Sequence, residues 1–268
     1  MKSDLAHSFG ALIRYSYVMR QKLLTLLMCF VLPVTAGHAA MRAAELADTE
    51  AIIEYASHVD DFRHLTQVSE LLVDESARGD LQKLVHYYSA LAAYRAAEID
   101  EDIEFRVGVL LDRCIDQGKA ALKIDPEYAD ALALMGACHG LAASRQPLSA
   151  IVSGNFSARE LKRALVLEPE NPRVQLLQAV TLLRRYETGV RMQQARDALA
   201  RSLQLYDEFV DLEQDGGPQW GREHAHLWMA RLARKDEQPA LARDHLEQAL
   251  LIAPQFAEAT RELRDLGG

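Results

Sequence analysis

Ala121-Leu-Lys-Ile-Asp-Pro126, Ala164-Leu-Val-Leu-Glu-Pro169, Ser202-Leu-Gln-Leu-Tyr-Asp207 and Ala249-Leu-Leu-Ile-Ala-Pro254 align without a gap. Their first residues lie 43, 38 and 47 positions apart, the period of a helical repeat array. Each segment ends a stretch with a small or medium residue three and seven positions upstream: Gly118 and Cys114, Leu161 and Ser157, Leu199 and Ala195, Leu246 and Ala242. That spacing is one face of a helix. Proline then stops the helix, because it lacks an amide hydrogen and disfavours helical backbone in its predecessor. The composition agrees. Ala, Leu, Glu and Arg dominate long stretches and lose little side-chain freedom in a helix, while aromatics make up only 7%. The fold class read from these features is all-α, a solenoid of antiparallel helix pairs.

Counted back from the closing residues, Gly136, Ala179 and Ala230 fall at one phase of the first helices, and Ser157, Ala195 and Ala242 at one phase of the second. In these positions the chain resembles the tetratricopeptide-repeat (TPR) family, whose 34-residue unit has small residues at positions 8, 20 and 27 and proline at 32. The resemblance implies that Gly136, Ala179, Ala195, Ala230 and Ala242 sit at close helix–helix contacts. It spans about residues 45–266 and is strongest in the second helices. Position 4 reads Leu132, Gln175 and His226, and position 11 reads His139, Leu182 and Ala233, away from the aromatic pattern of the family. Residues 84–124 fit a further pair in looser register. Residues 40–77 read as a degenerate N-terminal pair or cap, 78–254 as the repeats, and 255–268 as a closing helix. The loops, including Asn-Pro-Arg-Val at 171–174 and Trp220-Gly221, are similar to those of exported bacterial cell-envelope TPR proteins, TRAP-transporter-associated ones among them.

In that family the concave face is lined by first-helix positions 2, 5, 9, 12 and 13. The resemblance therefore implies a peptide groove formed by Arg173, Leu176, Val180, Arg184, His224, Leu227, Arg231, Arg234 and Lys235, apolar at one end and basic at the other. One reading has the bases steer an acidic peptide. The other has them pair with Asp236, Glu237 and Glu187 as a solvated face. The carboxylate clamp of chaperone-binding members needs Lys and Asn at positions 5 and 9, which are Ala133 and Ala137, Leu176 and Val180, Leu227 and Arg231 here. That activity has no support. The inserts Ser144–Phe156 and Glu208–Arg222 are candidates for a lid or an edge cap.

The N-terminus is built differently. Residues 23–34 form an uncharged apolar run preceded by Arg20 and Lys22 and followed by Thr35-Ala36-Gly37-His38-Ala39-Ala40. This is the layout of a secretory signal peptide cut after Ala39, with Met19 as an alternative start. Leu27-Met28 ahead of Cys29 lacks the small residues of a lipid-attachment site. The run is shorter than the ~20 residues of a membrane span, which makes a periplasmic protein the first expectation and an uncleaved inner-membrane anchor the second. Loss of 1–39 takes the net charge from −9 to −12, which argues against nucleic acid as a partner.

Catalytic signatures are missing. The chain has no phosphate-binding Gly-rich loop, no Gly-x-Ser-x-Gly, no His-Glu-x-x-His and no Cys-x-x-Cys. His224 and His226 are two apart on a helix and point away from each other, so they cannot jointly chelate. His139 reads as a packed histidine. Asp60-Asp61 and Glu98-Ile-Asp-Glu-Asp-Ile-Glu104 read as solvated turns without calcium-loop spacing. Cys114 and Cys138 suit buried apolar positions, with pairing in an exported protein the alternative. The expectation is a non-catalytic scaffold for a protein or peptide, without cofactor or metal, with a homo-oligomer left open. The alternative is a ligand-binding accessory component of a transporter.

Overall fold

The repeated closures become repeated turns. In the computed structural model, which describes residues 41–99, 104–145, 150–208 and 217–267, helices end at Ile124, Leu167 and Ile252, two residues before Pro126, Pro169 and Pro254. The same three bonds follow each time. Asp125, Glu168 and Ala253 donate their N–H to the carbonyls of Ala121, Ala164 and Ala249 (3.0, 2.9 and 2.9 Å). Tyr128, Asn171 and Phe256 donate to the carbonyls of Asp125, Glu168 and Ala253, and their own carbonyls open the next helix. Proline makes the stop, and the turn satisfies the orphan carbonyl that the stop creates. The third segment, which has Asp207 in place of proline, continues as helix to Glu208.

Eleven helices occupy the described residues: α1 (Ala43–His58), α2 (Phe62–Val73), α3 (Leu81–Ile99), α4 (Glu104–Ile124), α5 (Ala129–Arg145), α6 (Ala150–Leu167), α7 (Pro172–Arg185), α8 (Gly189–Glu208), α9 (Arg222–Lys235), α10 (Pro239–Ile252) and α11 (Ala257–Asp265). Successive helices pack as pairs, α3 with α4, α5 with α6, α7 with α8 and α9 with α10. The first helices α1, α3, α5 and α7 also touch in sequence, forming an inner layer. This is an all-α solenoid of helix pairs.

The small residues explain the pairing. A Cβ on Gly136 would stand 2.8 Å from Leu161 Cγ and 3.3 Å from the Ser157 carbonyl oxygen, so α5 and α6 meet almost backbone to backbone. Ala179, Ala195, Ala230 and Ala242 are completely buried. Asn171 begins α7 by accepting from the N–H groups of Arg173 (3.0 Å) and Val174 (3.4 Å), with Pro172 in the first turn. Such a cap contributes about 1 kcal/mol.

Several expectations are corrected. Cys114 and Cys138 are joined by a disulfide, Cα–Cα 6.5 Å, that ties α4 to α5. Closing a loop across 24 residues stabilises by about 3 kcal/mol in the chain-entropy model. The insert at 144–156 is largely helical: α5 runs to Arg145 and α6 begins at Ala150. Leu148 lies outside the described residues, as do the leader at 1–40 and most of the acidic run at 100–103. Glu98, read as part of a solvated turn, points inward onto Arg95 (3.0 Å) and Arg184 (2.5 Å). No described helix is long and apolar enough to cross a membrane.

Candidate functional site

Of the residues expected to line an open groove, the apolar ones point into packed interior, while Arg234 and Lys235 stay exposed. Leu176, Val180 and Leu227 are 2%, 3% and 1% exposed. Arg173 makes two bonds to Asp130 (2.7 and 3.1 Å), and Asp130 also accepts from the Asn171 amide (3.2 Å). Arg184 reaches Glu98 and the Tyr94 hydroxyl (2.8 Å). Arg231 is held by Glu262 (2.7 Å) and Glu258, and Arg234 by Glu262 (3.2 Å), both acids lying on α11. Lys235 donates to the Glu187 carbonyl (2.9 Å), whereas Asp236 pairs with Arg196. Arg231 and Arg234 are thus held by the closing helix of the same chain.

What fills the interior is the return of the last helices onto the first. Residues 217–221 carry Trp220 inward, where its indole N–H donates to the Tyr87 hydroxyl (2.9 Å) and its ring lies 4.8 Å from the Arg95 guanidinium. Gly221 ends this strap at φ 112°. A side chain there would be strained and would run into the Tyr206 hydroxyl. The turn aims the first residues of α9, Glu223 and His224, at α1.

On α1, Glu50, Glu54 and His58 follow at four-residue intervals and share one face. Glu50 accepts from the Tyr88 hydroxyl (2.5 Å) and the Gln219 N–H (2.6 Å). Burial pushes its carboxyl up to about 7 in spite of these bonds, and the nearby Glu54 adds to the rise. His58 Nε2 lies 3.1 Å from Glu223 Oε1. Burial alone would raise the Glu223 carboxyl, but the His58 bond and the neighbouring histidines hold it well below the usual carboxylate range. His224 Nε2 is 3.6 Å from both Glu54 and Glu223, too far to hydrogen-bond either. Both Glu54 carboxylate oxygens and His224 Nε2 are buried and have no hydrogen-bond partner. One donor atom from each of Glu54, His58, Glu223 and His224 falls within 4.8 Å of the others.

Three groups frame this cluster. Phe256, the residue that caps α11, packs its ring 4.8 Å from that of His58 and 4.9 Å from that of His224. The Gln255 amide reaches His58 Nδ1 at 3.3 Å. Arg95 stands 3.6 Å from Glu54 and bonds Glu98 on its other side. The cluster borders a cleft of about 420 Å³. Ala43, Ala47 and Ala51 make room along α1, Leu84, Tyr88 and Trp220 form an apolar wall, and Glu50, Glu54, His58 and Glu223 close the acidic end.

Of the candidates read from sequence, only His224 belongs to this site. Its partner was sought two residues away on its own helix and instead lies 166 residues earlier, at His58. His226 pairs with His245 across α9 and α10 (3.1 Å). The signal that could have located the site is the Glu50-x-x-x-Glu54-x-x-x-His58 ladder on one helical face, combined with the adjacent Glu223-His224. Nothing in either segment alone says that they meet. Comparison with known proteins adds no assignment: no protein-family model matches the chain, and neither does any curated protein sequence.

Proposed function

We propose that this chain is an exported, non-catalytic, TPR-like protein that holds a small, largely apolar molecule in the cleft between α1 and the 217–221 strap, as a ligand-binding accessory component of a transporter would. The carrying observation is the cleft itself: about 420 Å³, within the range of small-molecule sites, apolar on its walls and polar at one end. An extended peptide on the inner face would have to displace packed side chains and the Glu258 and Glu262 carboxylates that already hold Arg231 and Arg234. The apolar N-terminal run with its small-residue cut site supports export, and the Cys114–Cys138 disulfide suits an oxidising compartment.

The test is a thermal-shift screen of small apolar and amphipathic molecules, run on the native chain and on Ala47→Trp, which fills the cleft. A ligand at about 100 times its Kd stabilises by about 2.7 kcal/mol. The reading expects such a shift in the native protein and none in Ala47→Trp. Equal shifts in both, or no ligand alongside a captured protein cross-linked through α9, would overturn it.

A further inference from the structure

We propose that Glu54, His58, Glu223 and His224 form a binding site for a first-row divalent metal ion of the zinc type. This goes beyond the cleft reading, because it stands on the geometry of four side chains whether or not an organic molecule occupies the space beside them.

The distances are those of a coordination shell drawn slightly open. A tetrahedral ion with ligand bonds of ~2.0–2.1 Å places its ligand atoms about 3.3 Å from one another. Here His58 Nε2 lies 3.1 Å from Glu223 Oε1 and 4.0 Å from Glu54 Oε2. His224 Nε2 lies 3.6 Å from the same two oxygens. Four edges lie between 3.1 and 4.0 Å, and all four donor atoms fall within 4.8 Å of one another.

The donor set fits borderline metals. Two imidazole nitrogens and two carboxylate oxygens suit zinc and its first-row neighbours, whereas calcium and magnesium prefer oxygen throughout.

Buried polar atoms without partners are the second, independent observation. Glu54 has neither oxygen hydrogen-bonded and its side chain is only 13% exposed, and His224 Nε2 is likewise alone. A buried carboxylate in that condition is costly. Arg95 at 3.6 Å supplies charge but no hydrogen bond. A cation between the four donors removes this cost.

The surroundings resemble an outer ligand shell. Gln255 sits on His58 Nδ1. With its amide turned so that Oε1 accepts from Nδ1–H, it leaves Nε2 free for metal. If Glu54 gives one oxygen to the ion, its other oxygen can accept from Arg95. Phe256 packs its ring against both imidazoles.

The experiment uses the full chain stripped with a chelator and titrated with Zn2+ against a chromophoric competitor. Co2+ is added in parallel to read the visible bands of a tetrahedral ion. The expected result is one equivalent bound with a Kd below about 1 µM. Glu54→Gln and His224→Ala should each weaken binding by about 100-fold or more, and Gln255→Ala by about tenfold. His226→Ala/His245→Ala removes the other histidine pair and should leave binding unchanged. Ala47→Trp should also keep the metal, which separates failure of this proposal from failure of the cleft reading. Circular dichroism checks folding, and Glu54→Gln carries the test if a histidine variant fails to fold, since Glu54 makes no hydrogen bond to lose. Absence of stoichiometric binding in the native chain, or binding that survives Glu54→Gln and His224→Ala while disappearing with His226 and His245, would overturn the assignment.

Discussion

The middle of the array, from α3 to α8, and the seam where α1 meets α9 and α11 are held by different forces. In the middle, Gly136 and Ala179 let helices approach, apolar side chains such as Leu132 and Leu199 are completely buried, and a proline-closed turn recurs. Contacts there span fewer residues, 43 from Asp130 to Arg173 and 90 from Tyr94 to Arg184. At the seam the contacts join His58 to Glu223, Glu50 to Gln219, His58 to Gln255 and Asp60 to Arg261, across 165 to 201 residues, and they are polar or ionic. Neighbouring pairs nest by shape around a few buried ion pairs, whereas the long-range closure is mostly polar. Apolar nesting tolerates only one distance between helices. Buried charges stay only where every partner has arrived. A region of the second kind is where function concentrates, because its unsatisfied groups can be completed by a ligand.

The largest effect is expected at the buried ion pair between α5 and α7, Asp130 with Arg173. Arg173→Met leaves Asp130 buried with only the Asn171 amide and should cost about 3–5 kcal/mol in urea denaturation. Adding Asp130→Asn should return most of that loss. If it does not, the charges themselves, rather than their pairing, are what the fold needs.

The next effect is a pH dependence set by Glu50 at the seam and opposed by Glu98 and His226 away from it. Glu50 ionises near 4.5 when unfolded and near 7 when folded, so the native state holds its proton more tightly. The stabilisation from this group is complete below about pH 4.5 and is lost as pH rises through 7, up to about 3 kcal/mol. Glu98 runs the opposite way. Arg184 and Arg95 overcome its burial and lower it to about 2, so its contribution is present above about 4.5 and lost in stronger acid. Burial lowers His226 to about 4, which sets the opposite slope below about pH 6.5, so melting temperatures from pH 6.5 to 8 should fall in the native chain and flatten in Glu50→Gln. A persistent slope in that variant would assign the effect to another group.

In the middle region, Gly136→Val pushes a side chain into Leu161 and the Ser157 carbonyl and should destabilise by about 1–3 kcal/mol. Hydrogen exchange sharpens the contrast. This variant should raise exchange throughout α5 and α6, whereas the seam variants should raise it first in α1 and α9.

The smallest effect belongs to the surface. Arg196 and Asp236 are exposed partners, and Arg196→Ala should change stability by less than about 1 kcal/mol, with the difference disappearing in high salt.

Particular residues show how far the sequence could be read. The Ala-Leu-x-x-x-Pro closures marked three helix ends, because a missing amide hydrogen acts on the nearest turn and needs no distant partner. The small-residue phase found Gly136, Ala179 and Ala230 for the same reason: a helix repeats its face every few residues. Of the residues expected to line a groove, Leu176, Val180 and Leu227 are core. The phase of a side chain on its helix does not say whether a later helix will cover it. Glu258 and Glu262 were counted as part of a closing helix, and their bonds to Arg231 and Arg234 depend on how that helix folds back.

By itself the sequence determined the all-α class, the helix pairs, the turns between them and the residues that let each pair close up, all consequences of backbone chemistry and local periodicity. Only the tertiary structure decided that Cys114 and Cys138 bond, that Trp220 plugs the interior against Tyr87, and that Glu54 and His58 meet Glu223 and His224. Those meetings depend on the accumulated rotation from one helix pair to the next, summed over the whole array. No local pattern of residues encodes that sum.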